Sequence, residues 1–333
     1  MKTYLVTGGA GFIGANFIIY MLEKYRDIRI INADALTYAA NLSYLDCVAN
    51  DERYFFEKCD ITDRNAVEAL FEKYDIDYVV NFAAESHVDR SIENANVFVK
   101  TNVGGTFNLL DSAKINWQTG DDEYKKGVKF LQISTDEVYG SIENDGFFTE
   151  QSPIAPSSPY SASKASADLL VLSYAHTYKL PVNITRCSNN YGAFQFPEKL
   201  IPLMFVNAVK GKSLPVYGDG KQVRDWIYVR DHCSAIDAVL HSSPVGEVYN
   251  VGAHCEMANI DIVKMIIDFV RENINPKIDY SLIEHVEDRK GHDRRYAIDN
   301  TKIRSQLGWK PQTSFEIGLK KTLEWYAEKI KND

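Results

Sequence analysis

The chain has 333 residues, 45% hydrophobic and 25% charged, with a formal net charge of −9. That length buries a large core and corresponds to about two domains, while the negative balance argues against the basic face that nucleic acid requires. No run reaches the roughly 18 apolar residues of a membrane span, and the first residues enter a strand without a signal-peptide pattern. Through the first half, short β-rich runs alternate with helical patterns. Residues 3–7, 29–33, 54–58, 78–83, 130–134 and 182–186 are predicted strands, and 14–24, 64–73, 97–113 and 161–178 are predicted helices. Apolar strands alternating with helices imply an α/β fold with a doubly wound parallel sheet, a Rossmann arrangement. After Cys187 the texture turns to loops rich in Asn, Pro and Gly, with helices at 201–210 and 260–273. This stretch is expected to form a smaller mixed α/β domain. The boundaries are 1–187 for the larger domain, with 225–254 also assigned to it, and 188–224 plus 255–333 for the smaller one. Within 225–254, both 226–229 and 247–251 are candidates to return to the main sheet.

Cys47, Cys59, Cys187, Cys233 and Cys255 lie far apart without a Cys-x-x-Cys pair. Reduced thiols in a cytoplasmic protein are expected, not a disulfide framework. No His, Cys or carboxylate spacing supports a metal site.

Thr7-Gly8-Gly9-Ala10-Gly11-Phe12-Ile13-Gly14 follows the first strand and opens the first helix. Gly9, Gly11 and Gly14 fit Gly-x-Gly-x-x-Gly, and Gly8, Gly11 and Gly14 fit the Gly-x-x-Gly-x-x-Gly spacing. Glycines there let a pyrophosphate approach backbone N–H groups at a helix N-terminus. Asp34, twenty residues past Gly14 at the end of the second strand, suits both ribose hydroxyls and repels a 2′-phosphate, which favours NAD over NADP. Asp60 and Ile61, after the third strand, are placed to flank the adenine.

Tyr160 and Lys164 are four residues apart and share a helix face. A nearby ammonium lowers a phenol from its usual value of about 10, so Tyr160 is the candidate base. Ser134 and Thr135 end the fifth strand, at the carboxyl edge where such sheets hold ligands. Asp136 and Glu137 follow directly. Two neighbouring carboxyls can part their pKa values, one remaining an acid while the other acts as a base. Removing water from a sugar needs that asymmetry, whereas plain alcohol oxidation does not.

With those residues in view, the chain resembles the extended short-chain dehydrogenase/reductases, the NAD-dependent epimerase/dehydratase family, and within it the dTDP-glucose 4,6-dehydratases. The resemblance spans nearly the whole chain and rests on residues 7–14, 83–91, 134–140, 160–165, 186–192, 196–202, 216–226 and 289–299. It implies that Tyr160 takes the proton of a 4-hydroxyl while carbon 4 is oxidised, with Thr135 bonded to that oxygen and Lys164 on the nicotinamide ribose. Glu137 then removes the carbon 5 proton, Asp136 protonates the departing 6-hydroxyl, and carbon 6 is reduced. The implied reaction takes dTDP-glucose to dTDP-4-keto-6-deoxyglucose and water, for deoxysugars such as dTDP-rhamnose. The implied cofactor contacts are Gly8, Gly11, Phe12, Ile13, Gly14, Asp34, Asp60, Ile61, Ala83, Ala84, Ser86, Tyr160 and Lys164. The implied substrate contacts are His87, Thr135, Asn189, Glu198, Lys199 and Leu200 toward the sugar diphosphate. Pro215, Tyr217, Arg224, Asn259, Arg289 and His292 are implied toward the base, ribose or phosphates.

By analogy the chain also pairs with a second copy through the helices at 97–113 and 161–178, giving a homodimer. Tyr38-Ala39-Ala40-Asn41 departs from the family, where many relatives carry Gly in place of Ala40. Thymine and uracil differ by one small apolar contact, worth only about 1–3 kcal/mol, so UDP-glucose remains open beside dTDP-glucose. Two other readings are a nucleotide-sugar 4-epimerase or decarboxylase, which needs no Asp136, and a non-catalytic NAD sensor, which would not need Tyr160 and Lys164.

Overall fold

The computed structural model describes residues 1–142, 146–288 and 293–332. In chain order the strands are β1 (Lys2–Thr7), β2 (Ile28–Asp34), β3 (Tyr54–Lys58), β4 (Tyr78–Asn81), β5 (Gln118–Gly120), β6 (Glu123–Tyr124), β7 (Lys129–Thr135), β8 (Val182–Cys187), β9 (Asn189–Tyr191), β10 (Leu214–Tyr217), β11 (Val223–Tyr228), β12 (Val248–Val251), β13 (Glu256–Ala258) and β14 (Ile283–Val286). The helices are α1 (Phe12–Lys24), α2 (Arg64–Lys73), α3 (Val88–Glu93), α4 (Ala95–Phe98), α5 (Thr106–Trp117), α6 (Pro159–Tyr178), α7 (Leu200–Val209), α8 (Val229–Ser242), α9 (Asn259–Asn273), α10 (Thr301–Leu307) and α11 (Phe315–Asn332).

Seven strands form one parallel sheet in the order β12-β8-β7-β4-β1-β2-β3. β1, β7 and β8 are almost wholly buried, as expected of strands covered on both faces. On one face α1 and α8 pack through Phe17, Ile18, Met21, Ile236 and Leu240. On the other, α2, α5 and α6 pack through Val67, Leu109, Trp117 and Val171. A separate core of Phe205, Ile262, Ile266, Trp226 and Phe315 holds the smaller unit, giving the doubly wound sheet with a second mixed α/β unit read from the sequence.

Two expectations need correction. Residues 226–229 do not return to the main sheet; β11 pairs with β9 and β13 in a three-stranded sheet. Only β12 returns, beside β8. Both runs are short and apolar, and periodicity cannot tell which sheet such a run will join. Second, the helix expected at 97–113 is interrupted. Val99–Gly105 is a π-helical turn between α4 and α5, of the kind that carries extra ligand-facing residues. Its Asn102 donates to Glu85 O (3.0 Å) and to Ser163 Oγ (2.8 Å) and accepts from Glu85 N (2.8 Å). One buried amide thus fixes the loop after β4 against α6.

Among the described residues all five cysteines are free, and no helix is long and apolar enough to cross a membrane.

Candidate active site

A cavity of about 560 Å³ opens at the carboxyl edge of the sheet, between the β1–α1 loop, the ends of β4 and β7, and the first turn of α6. At its floor Gly8 has φ +68°, and a Cβ there would lie 2.7 Å from Ala83 N. A Cβ on Gly14 would lie 2.4 Å from Gly8 O. Gly9 serves a different purpose, since its Cβ would strike Asn32 and Ile18 in the helix–sheet contact. Gly11 is the N-cap of α1 and supplies no side-chain cap, so the first N–H groups of the helix are left for an anion. Asp34 is buried, with Oδ1 accepting from Leu36 N (2.8 Å) and Oδ2 from Ala10 N (2.9 Å). Burial raises its pKa and these two N–H bonds oppose the rise. A glycine cradle, a bare helix N-terminus and an oriented carboxylate fit a dinucleotide. Ala40 keeps a negative φ and lines the cavity, so alanine is accommodated at this position without backbone strain.

The catalytic candidates meet deeper in the same cavity. Thr135 ends β7, and its Oγ1 accepts from Glu137 N (3.3 Å), starting a 3₁₀ turn over Asp136–Tyr139. That turn buries Asp136 to 2% exposure and leaves Glu137 half-buried. Asp136 Oδ1 lies 3.3 Å from Thr135 Oγ1, while Oδ2 is buried and has no hydrogen-bond partner among the described residues. Burial pushes the Asp136 carboxyl well above the carboxylate range, and Glu137 and Asp225 push it further against Arg224. Pro159 at the first turn and a Ser158–Ser161 capping box start α6 so that Tyr160 and Lys164 both face inward. Lys164 Nζ donates to Ile133 O (2.7 Å), and burial lowers its pKa.

The expected lowering of Tyr160 by Lys164 is absent from this geometry. Burial raises the phenol, with Glu137, Cys187 and Asp136 adding to the rise and Thr135 opposing it. The ammonium is engaged by a backbone carbonyl instead.

Gly8, Gly11, Phe12, Ile13, Gly14, Asp34, Asp60, Ile61, Ala83, Ala84 and Ser86 all line this cavity, as do Thr135, Asp136, Glu137, Tyr160, Lys164, Asn189, Glu198 and Lys199. Three loops close its mouth. Tyr38 donates to Glu198 Oε1 (3.2 Å) and carries the Arg90 guanidinium 3.5 Å from its ring centre, and Lys199 donates to Ser86 O (3.1 Å). His87 Nε2 is 3.8 Å from Glu198 Oε2 beside that mouth.

Leu200, Pro215, Tyr217, Arg224 and Asn259 lie outside the cavity lining. Leu200 opens α7, and Pro215 and Tyr217 sit on β10 of the smaller unit. Arg224 is buried against the Tyr296 ring, 4.3 Å from its centre, and donates to Val223 O and Asp293 O. Asn259 opens α9 with a buried Oδ1 that lacks a protein partner. Arg289 and His292 fall outside the described residues. Sequence reasoning missed Glu85, Lys100, Cys187, Ser188 and Gln195, which also line the cavity. Cys187 ends β8 and Ser188 follows it, and that position at the carboxyl edge of the sheet was the available signal. Lys100 belongs to the π turn, which has none. No group of three or more His, Cys, Asp or Glu that could hold a metal ion occurs among the described residues.

A family profile described as GDP-mannose 4,6 dehydratase matches residues 5–322. The chain belongs to this family. It is 52% identical over 334 residues to the dTDP-glucose 4,6-dehydratase of Neisseria meningitidis serogroup B, covering 98% of this chain and 94% of that relative. Among solved structures it is similar to the Bacillus anthracis dTDP-glucose 4,6-dehydratase in complex with NAD, at 48% identity and TM-score 0.89, covering 99% and 98% of the two chains. The Streptomyces venezuelae dTDP-glucose 4,6-dehydratase, solved with NAD and TYD bound, matches at 45% identity and TM-score 0.90, covering 98% and 97%.

Proposed function

We propose that the protein converts dTDP-glucose to dTDP-4-keto-6-deoxyglucose and water and retains NAD through the cycle. The observation that carries this reading is a buried acid, Asp136, beside a half-buried one, Glu137, in the cavity that holds Tyr160 and Lys164. Oxidation alone needs no such pair, and relatives sharing half of the residues bear this activity in their names. When bound, NAD would supply the hydride acceptor for carbon 4 and the hydride donor for carbon 6. The Gly8–Gly14 loop would hold its pyrophosphate, Asp34 its adenosine ribose and Lys164 its nicotinamide ribose. Tyr160 takes the 4-hydroxyl proton with Thr135 orienting the oxygen. The resulting ketone acidifies carbon 5, and Glu137 removes that proton. Asp136 donates a proton to the 6-hydroxyl, which leaves as water. Glu137 returns its proton to carbon 5, and the proton lost with water is balanced by the one Tyr160 acquired.

In the same reading His87, Asn189, Glu198, Lys199 and Leu200 face the sugar diphosphate. Pro215, Tyr217, Arg224 and Asn259 face the nucleotide; Arg289 and His292, implied for the same role, lie outside the described residues. The protein works in the cytoplasm, feeds deoxysugar synthesis such as that of dTDP-rhamnose, and pairs as a homodimer. The pairing is supported by exposed apolar side chains on adjacent helices: Phe107 and Ile115 on α5 and Leu169 on α6.

The test is incubation of the purified protein with dTDP-glucose, without added cofactor, followed by product mass. Loss of one water with no free NADH is the expected result. Turnover of UDP-glucose alone would overturn the nucleotide assignment, and a 4-epimer of unchanged mass would overturn the roles of Asp136 and Glu137.

A further inference from the structure

Asp225 is a second buried carboxylate beside the acid pair. It is 1% exposed, and both oxygens are held by backbone: Oδ1 accepts from Cys255 N (2.7 Å) and Oδ2 from Ala253 N (3.1 Å). Burial raises its pKa, and these backbone N–H donors, with His254 and Ser188, oppose the rise and favour the ionised carboxylate.

Strand register brings it to Asp136. Thr135 on β7 is opposite Cys187 on β8, and Asn189 on β9 is opposite Trp226 on β11. Asp136 follows Thr135 at the start of its 3₁₀ turn, Asp225 precedes Trp226 on β11, and Ser188 joins Cys187 to Asn189, so the two carboxyl-bearing residues flank the β8–β9 junction from its two sides. The hydroxyl of Ser188 is buried at that junction.

The groups acting on Asp136 come from every neighbouring element. Glu137 is on its own turn, Tyr160 comes from α6, Cys187 from β8, and Arg224 and Asp225 from β11. Arg224 is the only guanidinium in that set. It is tied to the Tyr296 ring and the Asp293 carbonyl, which fixes it on one side. Asp225 supplies a fixed negative charge from the same strand.

We propose that Asp225 is a positioning residue whose held negative charge assigns the proton of the Asp136–Glu137 pair to Asp136. This rests on the dehydratase reading, in which Asp136 must donate and Glu137 must accept. Two adjacent carboxyls share protons as a pair, and a third carboxylate on the Asp136 side disfavours ionisation there more than at the half-buried Glu137. Asp136 then reaches carbon 6 carrying the O–H that becomes part of the departing water.

The experiment is infrared titration of the NAD-loaded protein. The protonated Asp136 carboxyl is assigned as the carbonyl band lost in Asp136→Asn. In Asp225→Asn the midpoint at which this band disappears is expected to move down by about half a pH unit or more. The alkaline limb of kcat should move with it, while KM for the sugar nucleotide holds. An unchanged midpoint in a folded Asp225→Asn protein overturns the proposal, as does a wild-type protein with no such band at neutral pH. If Asp225→Asn does not fold, Gly252→Ala serves. A Cβ there would lie 2.4 Å from Asp225 Oδ2, displacing the carboxylate without removing its charge. A moved midpoint supports the proposal and an unmoved one overturns it. The band titration needs no turnover, so a protein that fails to dehydrate dTDP-glucose would sink the functional reading separately.

Discussion

Gly14 and Gly8 approach so closely that any side-chain carbon on Gly14 would press on the Gly8 carbonyl oxygen at 2.4 Å. The first turn of α1 is thereby folded onto the loop before it, and the cradle has no room for even one methyl group. Gly14→Ala is expected to force that contact open at a cost of about 1–3 kcal/mol. NAD affinity should fall about tenfold or more, since each 1.4 kcal/mol is a factor of ten. Calorimetric titration of NAD into the variant checks this, with far-ultraviolet circular dichroism confirming that the sheet persists.

Glu137 and Asp136 are predicted to fail differently. In Glu137→Gln the carbon 5 proton has no acceptor, so dehydration should drop by about 10²–10⁴. Oxidation at carbon 4 needs only Tyr160, Lys164 and Thr135. Substrate should therefore produce the near-ultraviolet absorbance of reduced nicotinamide on the protein. A variant that is inactive yet shows none of this absorbance would contradict the role given to Glu137.

His232 predicts an acid limit on stability. It is fully buried on α8, and Asn190 donates through its side-chain nitrogen to Cys187 Sγ and Ser188 O. The Asn190 oxygen must then accept from His232 Nδ1–H (2.8 Å), which makes the ring a neutral donor. Burial lowers its pKa to about 3. The unfolded chain binds this proton below about pH 6.5 while the folded chain does not, so the unfolded state gains protons first as pH falls. This contribution is complete above about pH 6.5 and is lost progressively toward pH 3, on the order of a few kcal/mol in all. Urea unfolding of wild type and His232→Gln across that range checks it: the wild-type curve should fall more steeply with acid.

Leu169 is 56% exposed on α6, and Phe107 and Ile115 are exposed on α5, which packs against α6. If those helices meet a second copy, Leu169→Glu places a charge in an apolar contact and should weaken the dimer by several kcal/mol. Sedimentation at micromolar concentration should show dimer for wild type and monomer for the variant. A wild-type monomer would remove the expectation altogether.

Much of this architecture could be read without coordinates, for reasons that lie in particular residues. Buried parallel strands are continuous apolar runs, so β1, β7 and β8 fall within a residue or two of where their composition puts them. The glycines, Asp34 and Tyr160-x-x-x-Lys164 have fixed spacings, and they line one cavity. What escaped depends on contacts distant in sequence. Asn102 gains its role from a π turn that shifts helix register, and nothing in Thr-Asn-Val-Gly-Gly announces one. Asp225 reads as part of an apolar strand end. Its relation to Asp136 exists only because β11 and β7 flank the same β8–β9 turn. The downward shift expected for Tyr160 assumed that proximity to Lys164 outweighs desolvation, and in a fully buried phenol it does not.

The path of β12 has a consequence for how the molecule is inherited and made. The main sheet is completed by a strand that the chain supplies only after it has built β9, β10 and β11 of the smaller unit. A nascent chain that has emerged only through β8 presents that strand as an open, apolar edge awaiting a partner more than sixty positions further along. Cutting after residue 187 would therefore leave an unfinished sheet with a sticky margin. The nucleotide-binding half cannot be exchanged between relatives as a single cassette, and insertions are tolerated only where they let β12 come home.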